Sequence, residues 1–241
     1  MVMARIVHVA LKVEHLEDAT RFYENVFGMH QVGTGHTRGH ISRHMSDGAL
    51  DMALMVYDNE DVHEAQLSGA GPCIHHWGIE VEDRDAAMAA IQQNGGVIIS
   101  DPDEGALKFR APDGTVAEIT RLGRYKRHVP SDHCRIVRLA IQVADLDKAA
   151  RFYETVFGFK TVHSAGDANA RQLTDGAFDI VLMKAGSSAS PKHHHIGVHV
   201  FDPVSFKDRL TRSGASVQPD GSSAFFRAPD GTLAEIVTPM G

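Results

Sequence analysis

An eleven-residue segment occurs twice, as Phe-Arg-Ala-Pro-Asp-Gly-Thr-Val-Ala-Glu-Ile over 109–119 and Phe-Arg-Ala-Pro-Asp-Gly-Thr-Leu-Ala-Glu-Ile over 226–236. Pro presets φ and Gly tolerates positive φ, so Pro112-Asp113-Gly114 predicts a tight turn whose flanks pair as strands. Glu118 then falls in mid-strand between Ala117 and Ile119. A carboxylate buried among such neighbours is costly unless it meets a cation, which makes Glu118 a candidate ligand.

The duplication extends along the chain. Arg5-Ile6-Val7 returns as Arg135-Ile136-Val137, Arg21-Phe22-Tyr23-Glu24 as Arg151-Phe152-Tyr153-Glu154, and Asp47-Gly48-Ala49 as Asp175-Gly176-Ala177. Over 241 residues this predicts a first domain at 1–122, a linker at 123–134 and a second domain at 135–241. The linker carries Gly123, Pro130 and several basic residues without periodicity.

Within the first half, residues 6–13 alternate as a strand with His8, Ala10 and Lys12 on one face. Leu16, Ala19, Phe22, Tyr23, Val26 and Phe27 then recur at helical spacing, and Gly28 supplies a stop. Strands are predicted over 30–34, 41–45 and 50–56, followed by a connection at 57–74 able to cover a pocket. The pattern restarts with a strand at 76–81, a helix at 85–93, and strands at 97–99, 107–110 and 115–120. Each half is thus βαβββ twice, an α+β chain of four such units. Trp77, facing away from His76, is read as core packing. His75 is read as a loop-end residue, and His193 and His194 as a solvated turn.

A hydrophobic content of 43% is that of a globular, well-cored protein. The formal charge of −7 provides no basic footprint, so no nucleic-acid partner is expected. No stretch resembles a signal peptide or reaches membrane-spanning length, so a cytoplasmic location without a membrane partner is expected. Cys73 and Cys134 lack Cys-x-x-Cys spacing and read as ordinary thiols. Sixteen histidines raise the question of metal binding.

Aligning the halves places His8 opposite Arg138, His76 opposite His195 and Glu118 opposite Glu235. Only the first half keeps all three metal-type side chains. Two imidazoles and a carboxylate on one face, with other positions free, suit a divalent transition metal that also binds a substrate. Arg138 puts a fixed positive charge where the first ligand belongs, so the second half is expected to bind no metal. An exchanged set of His8, His195 and Glu235 stays open. Glu80 and Lys12 share strand faces with His76 and His8, which makes them candidates for base or substrate clamp, a surface ion pair being the alternative. His40 and His44 are candidates for acid–base work. Lys108 and Arg110 suit an anionic substrate or a solvated edge.

These tandem βαβββ units, the pattern His-x-Gly-Ile-x-Val-x-Asp at 76–83, and Pro-Asp-Gly followed by the strand residue Glu118 resemble the vicinal oxygen chelate superfamily. That superfamily includes glyoxalase I, extradiol dioxygenases, methylmalonyl-CoA epimerase, fosfomycin-resistance enzymes and bleomycin-binding proteins. The resemblance implies two similar curved, half-open mixed-sheet barrels with helices outside. It also implies one divalent ion that chelates neighbouring oxygens of a small substrate. Glyoxalase I enzymes carry a further Glu on the strand that here reads Asp51-Met52-Ala53-Leu54-Met55; Asp51 recurs as Asp179, which points to a structural or turn role. Catechol-cleaving enzymes carry a Tyr where this chain has Lys108. A three-ligand set favours an Fe2+ or Mn2+ dioxygenase. The alternatives are a glyoxalase- or epimerase-type lyase or isomerase using Ni2+, Co2+ or Zn2+ to stabilise an enediolate, and a non-catalytic protein that sequesters small molecules. Monomer and homodimer both remain open.

Overall fold

The computed structural model describes residues 4–37, 39–101, 104–162, 168–186, 192–217 and 225–237. The first sequence half forms β1 (Ala4–Lys12), α1 (Leu16–Phe27), β2 (His30–Thr37), β3 (His40–Ser46) and β4 (Asp51–Tyr57). It continues with β5 (Cys73–Val81), α2 (Arg84–Gln93), β6 (Val97–Ile98), β7 (Ala106–Arg110) and β8 (Val116–Arg121). The second half forms β9 (Cys134–Val143), α3 (Leu146–Phe157), β10 (Lys160–Val162), β11 (Ala170–Thr174) and β12 (Asp179–Lys184). Then follow β13 (Lys192–Val200), α4 (Pro203–Arg212), β14 (Ser216–Val217), β15 (Phe225–Arg227) and β16 (Leu233–Val237).

Among the described residues each half builds one eight-stranded mixed sheet. The hydrogen-bonded order is β2-β3-β4-β1-β5-β8-β7-β6 in the first and β10-β11-β12-β9-β13-β16-β15-β14 in the second, so neither sheet closes into a barrel. The chain is α+β, four βαβββ units in tandem, as its periodicity predicts. No helix among the described residues is long and apolar enough to cross a membrane.

Local chemistry sets the element ends. The α1 stripe of Ala19, Phe22, Tyr23, Val26 and Phe27 is buried, and Gly28 stops the helix at φ 65° with its amide donating to Glu24 O. Asp83, Asp145 and Asp202 each accept a backbone N–H at the start of α2, α3 and α4. Two expectations fail. Strand β5 begins at Cys73, so His75 lies inside it, fully buried, rather than at a loop end. His193 and His194 belong to β13 instead of a turn. In both cases the strand extends further toward its start than the apolar alternation does. Part of the Ser- and Ala-rich connection expected at 184–192, namely residues 187–191, lies outside the described residues.

By spatial clustering the chain forms two compact units. The first comprises Met1–His8, His76–Tyr125 and Arg138–His194; the second comprises Val9–His75, Lys126–Val137 and His195–Gly241. Each therefore combines segments from both sequence halves.

In the first unit, Trp77 meets Tyr153 and Phe159 at ring centroid separations of 5.6 and 6.4 Å, while Phe109 packs on Phe157 at 5.9 Å. The Tyr153 phenol donates to Asp113 Oδ2 at 2.9 Å, and the Ile6 amide to Asp175 Oδ2 at 2.7 Å. Trp77 is thus core, as read from the sequence. The second unit repeats the scheme with its own residues. Phe27 packs on Phe206 and Phe226, Tyr23 donates to Asp230 Oδ2 at 3.0 Å, and the Ile136 amide donates to Asp47 Oδ2 at 2.8 Å. Buried polar pairs of this kind hold an element in one register, since an unpaired member would forfeit its solvation.

Candidate metal centre

Strand β5 runs parallel to β8 with Gly78 opposite Glu118, and β7 runs antiparallel to β8 with Lys108 opposite the same residue. In a pleated sheet these registers put His76, two residues before Gly78, on the face that carries Glu118. The His8 ring completes the group, its centroid 5.4 Å from that of His76. Ligand-type atoms of His8, His76 and Glu118 all lie within 4.8 Å of one another, and all three residues are buried. The whole group belongs to the first unit.

Gly78 makes this convergence possible. A Cβ there would stand 2.9 Å from His8 Cβ, closer than packed carbons come, and 3.1 Å from Glu118 Oε1, a tight contact that the carboxylate would have to shift to relieve. The backbone is bare where the two side chains cross.

Burial alone would push the Glu118 carboxyl up, but the hydrogen bond from His76 and the charges of His76, His8 and Lys108 together hold it well below the usual carboxylate range. Glu118 Oε2 stands 3.4 Å from His76 Nε2 and 3.9 Å from Lys108 Nζ. Glu118 Oε1 accepts the phenol of Tyr125 at 2.8 Å. The Tyr125 ring stacks on His8, with centroids 4.5 Å apart and planes 1° from parallel. A buried anion with nitrogen donors beside it and a side-chain-free cradle beneath it suits a divalent transition ion. Sequence reasoning missed Tyr125, because it sits in an aperiodic segment read as linker.

The other candidates are placed as follows. Glu80 shares the His76 face four residues along, roughly 13 Å at a strand rise of about 3.3 Å per residue. It pairs with Arg5 and accepts the Gly123 amide at 3.0 Å. Lys12, the same distance along β1 from His8, donates to Gly69 O at 2.7 Å, to Ala65 O at 3.2 Å and to Glu60 at 3.1 Å. It thereby straps the 57–74 connection, where Ala65–Ser68 forms a 3-10 turn. The connection is also tied to β5, since Ser68 donates to His75 O and His75 Nε2 lies 2.8 Å from Glu64 O. His44 Nδ1 is 2.8 Å from Asp51 Oδ1, and the buried His40 packs against Tyr57 at 5.0 Å. In the second unit His195 Nε2 is 3.3 Å from Glu235 Oε2. In the first, Arg138 is 3.8 Å from Asp179, which also accepts from Gln172.

The family model described as "Glyoxalase/Bleomycin resistance protein/Dioxygenase superfamily" matches residues 5–119 and 135–236. A curated relative, "Probable lactoylglutathione lyase, chloroplastic" of Arabidopsis thaliana, is 25% identical over 179 residues, which is 66% of this chain and 46% of the relative. The chain therefore spans about half the length of that relative. Among solved structures, a Mn(II)-bound glyoxalase from Novosphingobium aromaticivorans superposes with a TM-score of 0.72 at 18% identity, covering 97% of this chain and 81% of the other. The 2,3-dioxygenase LapB from Pseudomonas sp. KL28 superposes with a TM-score of 0.70 at 16% identity, covering 98% and 92%. At such identities the superpositions establish the shared fold.

Proposed function

Because this chain belongs to the Glyoxalase/Bleomycin resistance protein/Dioxygenase superfamily, we propose that it is a divalent-metal-dependent enzyme acting on a small molecule with two neighbouring oxygens, as a dioxygenase. The observation that carries this proposal is the buried convergence of His8, His76 and Glu118 in the first unit. When bound, an ion such as Fe2+ or Mn2+ supplies Lewis acidity toward vicinal oxygens and a way of engaging dioxygen. The imidazoles of His8 and His76 and the Glu118 carboxylate would hold it, and a three-residue set would leave room for a bidentate substrate. Lys108, buried beside Glu118, places a fixed positive charge where an ionised substrate oxygen gains most from it, since screening by water is weak there. Glu80 and Lys12, each engaged in structural bonds, serve this reading as supports of the fold around the site.

A second reading, a glyoxalase-type lyase or isomerase, is favoured by the Arabidopsis relative and uses the same three ligands. Proton transfer beside a carbonyl would then replace oxygen chemistry. The test is anaerobic purification with metal analysis, followed by oxygen uptake with vicinal diols and enolisable ketones. One equivalent of Fe2+ or Mn2+ with oxygen consumption is the expected result. Stoichiometric metal with turnover but no oxygen uptake moves the assignment to the second reading, and wild-type protein that binds no divalent ion rejects both.

A further inference from the structure

Tyr125 touches two of the three proposed ligands at once, through different parts of its side chain. Its hydroxyl donates to Glu118 Oε1 at 2.8 Å and its ring lies flat on the His8 imidazole at 4.5 Å. Glu118 Oε2 faces His76 at 3.4 Å. The two oxygens of this carboxylate therefore have separate partners. A carboxylate is able to hold an ion with one oxygen or with both, and a hydrogen bond to one of them takes up one of its lone pairs and so favours the other oxygen as the ligand.

We propose that Tyr125 is a positioning residue that keeps Glu118 a one-oxygen ligand and fixes the plane of His8, so that the ion retains an extra open position for substrate. This inference rests on the assignment of His8, His76 and Glu118 as ligands. The hydroxyl sets which carboxylate oxygen reaches the ion. The ring blocks rotation of the imidazole, which lies against it within 1° of parallel. Nothing else is needed to make a residue outside the regular strands part of the site: Tyr125 follows β8 by four residues, and the chain there brings the phenol back over Glu118.

The test uses the full-length protein and two probes, Mn2+ for affinity and Co2+ for its visible absorption, on wild type, Tyr125→Phe, Tyr125→Trp and His76→Ala. Tyr125→Phe keeps the stack and loses the hydroxyl. It is expected to weaken Mn2+ binding about tenfold or more and to lower the Co2+ band intensity, as Glu118 swings to bind through both oxygens and raises the coordination number. Tyr125→Trp also lacks the phenol and substitutes if the Phe variant unfolds, with the same two expected changes. Either variant folded, with wild-type Mn2+ affinity and a wild-type Co2+ spectrum, overturns the role of Tyr125 while leaving the metal assignment standing. Mn2+ binding that is equally tight in wild type and His76→Ala overturns the metal assignment itself, and the role of Tyr125 with it.

Discussion

In the first unit the duplicated turn is held by Asp113, which accepts the Thr115 amide at 2.9 Å and the Tyr153 phenol at 2.9 Å. In the second unit Asp230 accepts the Thr232 amide at 2.8 Å and the Tyr23 phenol at 3.0 Å. Gly114 and Gly231 turn at φ 91° and 88°, and Arg110 and Arg227 donate to the carbonyls of those same glycines. Four residues on, the likeness ends. The Glu118 side chain is 3% exposed and ringed by His76, Lys108 and Tyr125, whereas the Glu235 side chain is 24% exposed and meets His195. The comparison separates two jobs within one segment. The turn is scaffold, and both copies retain its geometry; the carboxylate that follows is enclosed among polar and charged groups in one copy and partly open to solvent in the other.

The largest effect expected from this contrast is on metal content. Glu118→Ala should reduce Mn2+ affinity by at least a hundredfold, as loss of a direct ligand exceeds the 10–100-fold typical of outer-shell changes, while Glu235→Ala leaves it intact. Titration calorimetry on both variants decides. The reverse pattern, loss in Glu235→Ala with Glu118→Ala unchanged, would overturn the comparison. Next, Gly78→Ala should weaken metal binding about tenfold or more and destabilise the fold by roughly 1–3 kcal/mol, because the added methyl meets His8 and Glu118. Wild-type metal affinity in that variant would show that the crossing has slack.

Tyr153→Phe and Tyr23→Phe sharpen the scaffold side. Each removes one phenol–carboxylate bond and should cost about 1–3 kcal/mol in denaturant unfolding without changing metal stoichiometry. A large difference between the two costs would mean that the turns are less alike than their geometry. The smallest effect concerns alkaline pH. Burial, and next the adjacent carboxylate, push Tyr23 and Tyr153 well above the ordinary tyrosine value. A raised folded value means that the stability they contribute is fully present below the unfolded value of about 10 and is lost as pH rises from there through the folded value. Spectrophotometric titration should therefore show both phenols silent until the protein unfolds; their ionisation in the native state would contradict the burial.

The helix at Leu16–Phe27 and the turns at Gly48, Gly114 and Gly231 were legible because apolar spacing and positive-φ glycines are local signals. The convergence of His8, His76 and Glu118 could be anticipated from the cost of burying Glu118, from the superfamily resemblance, and from the internal alignment that the duplication supplied, in which Arg138 marked the copy that had changed. For Glu80 and Lys12 the shared strand face was visible in sequence, whereas the roughly 13 Å that separates each from His76 or His8 along the strand was not. Tyr125 gave no signal: its partners are a ring and a carboxylate reached through a non-repeating segment, and no periodicity records such a contact. Nor did the sequence announce that Tyr153 would bond Asp113 and Tyr23 would bond Asp230, each across the two sequence halves.

Those crossed pairings bear on what a severed polypeptide would do. Cutting within 126–133 would leave each fragment holding part of both hydrophobic interiors and neither of them whole. The fragments should be insoluble or loosely structured when expressed singly and recover a common fold when mixed, so that the stretch between the halves acts as a tether that keeps two mutually dependent pieces together.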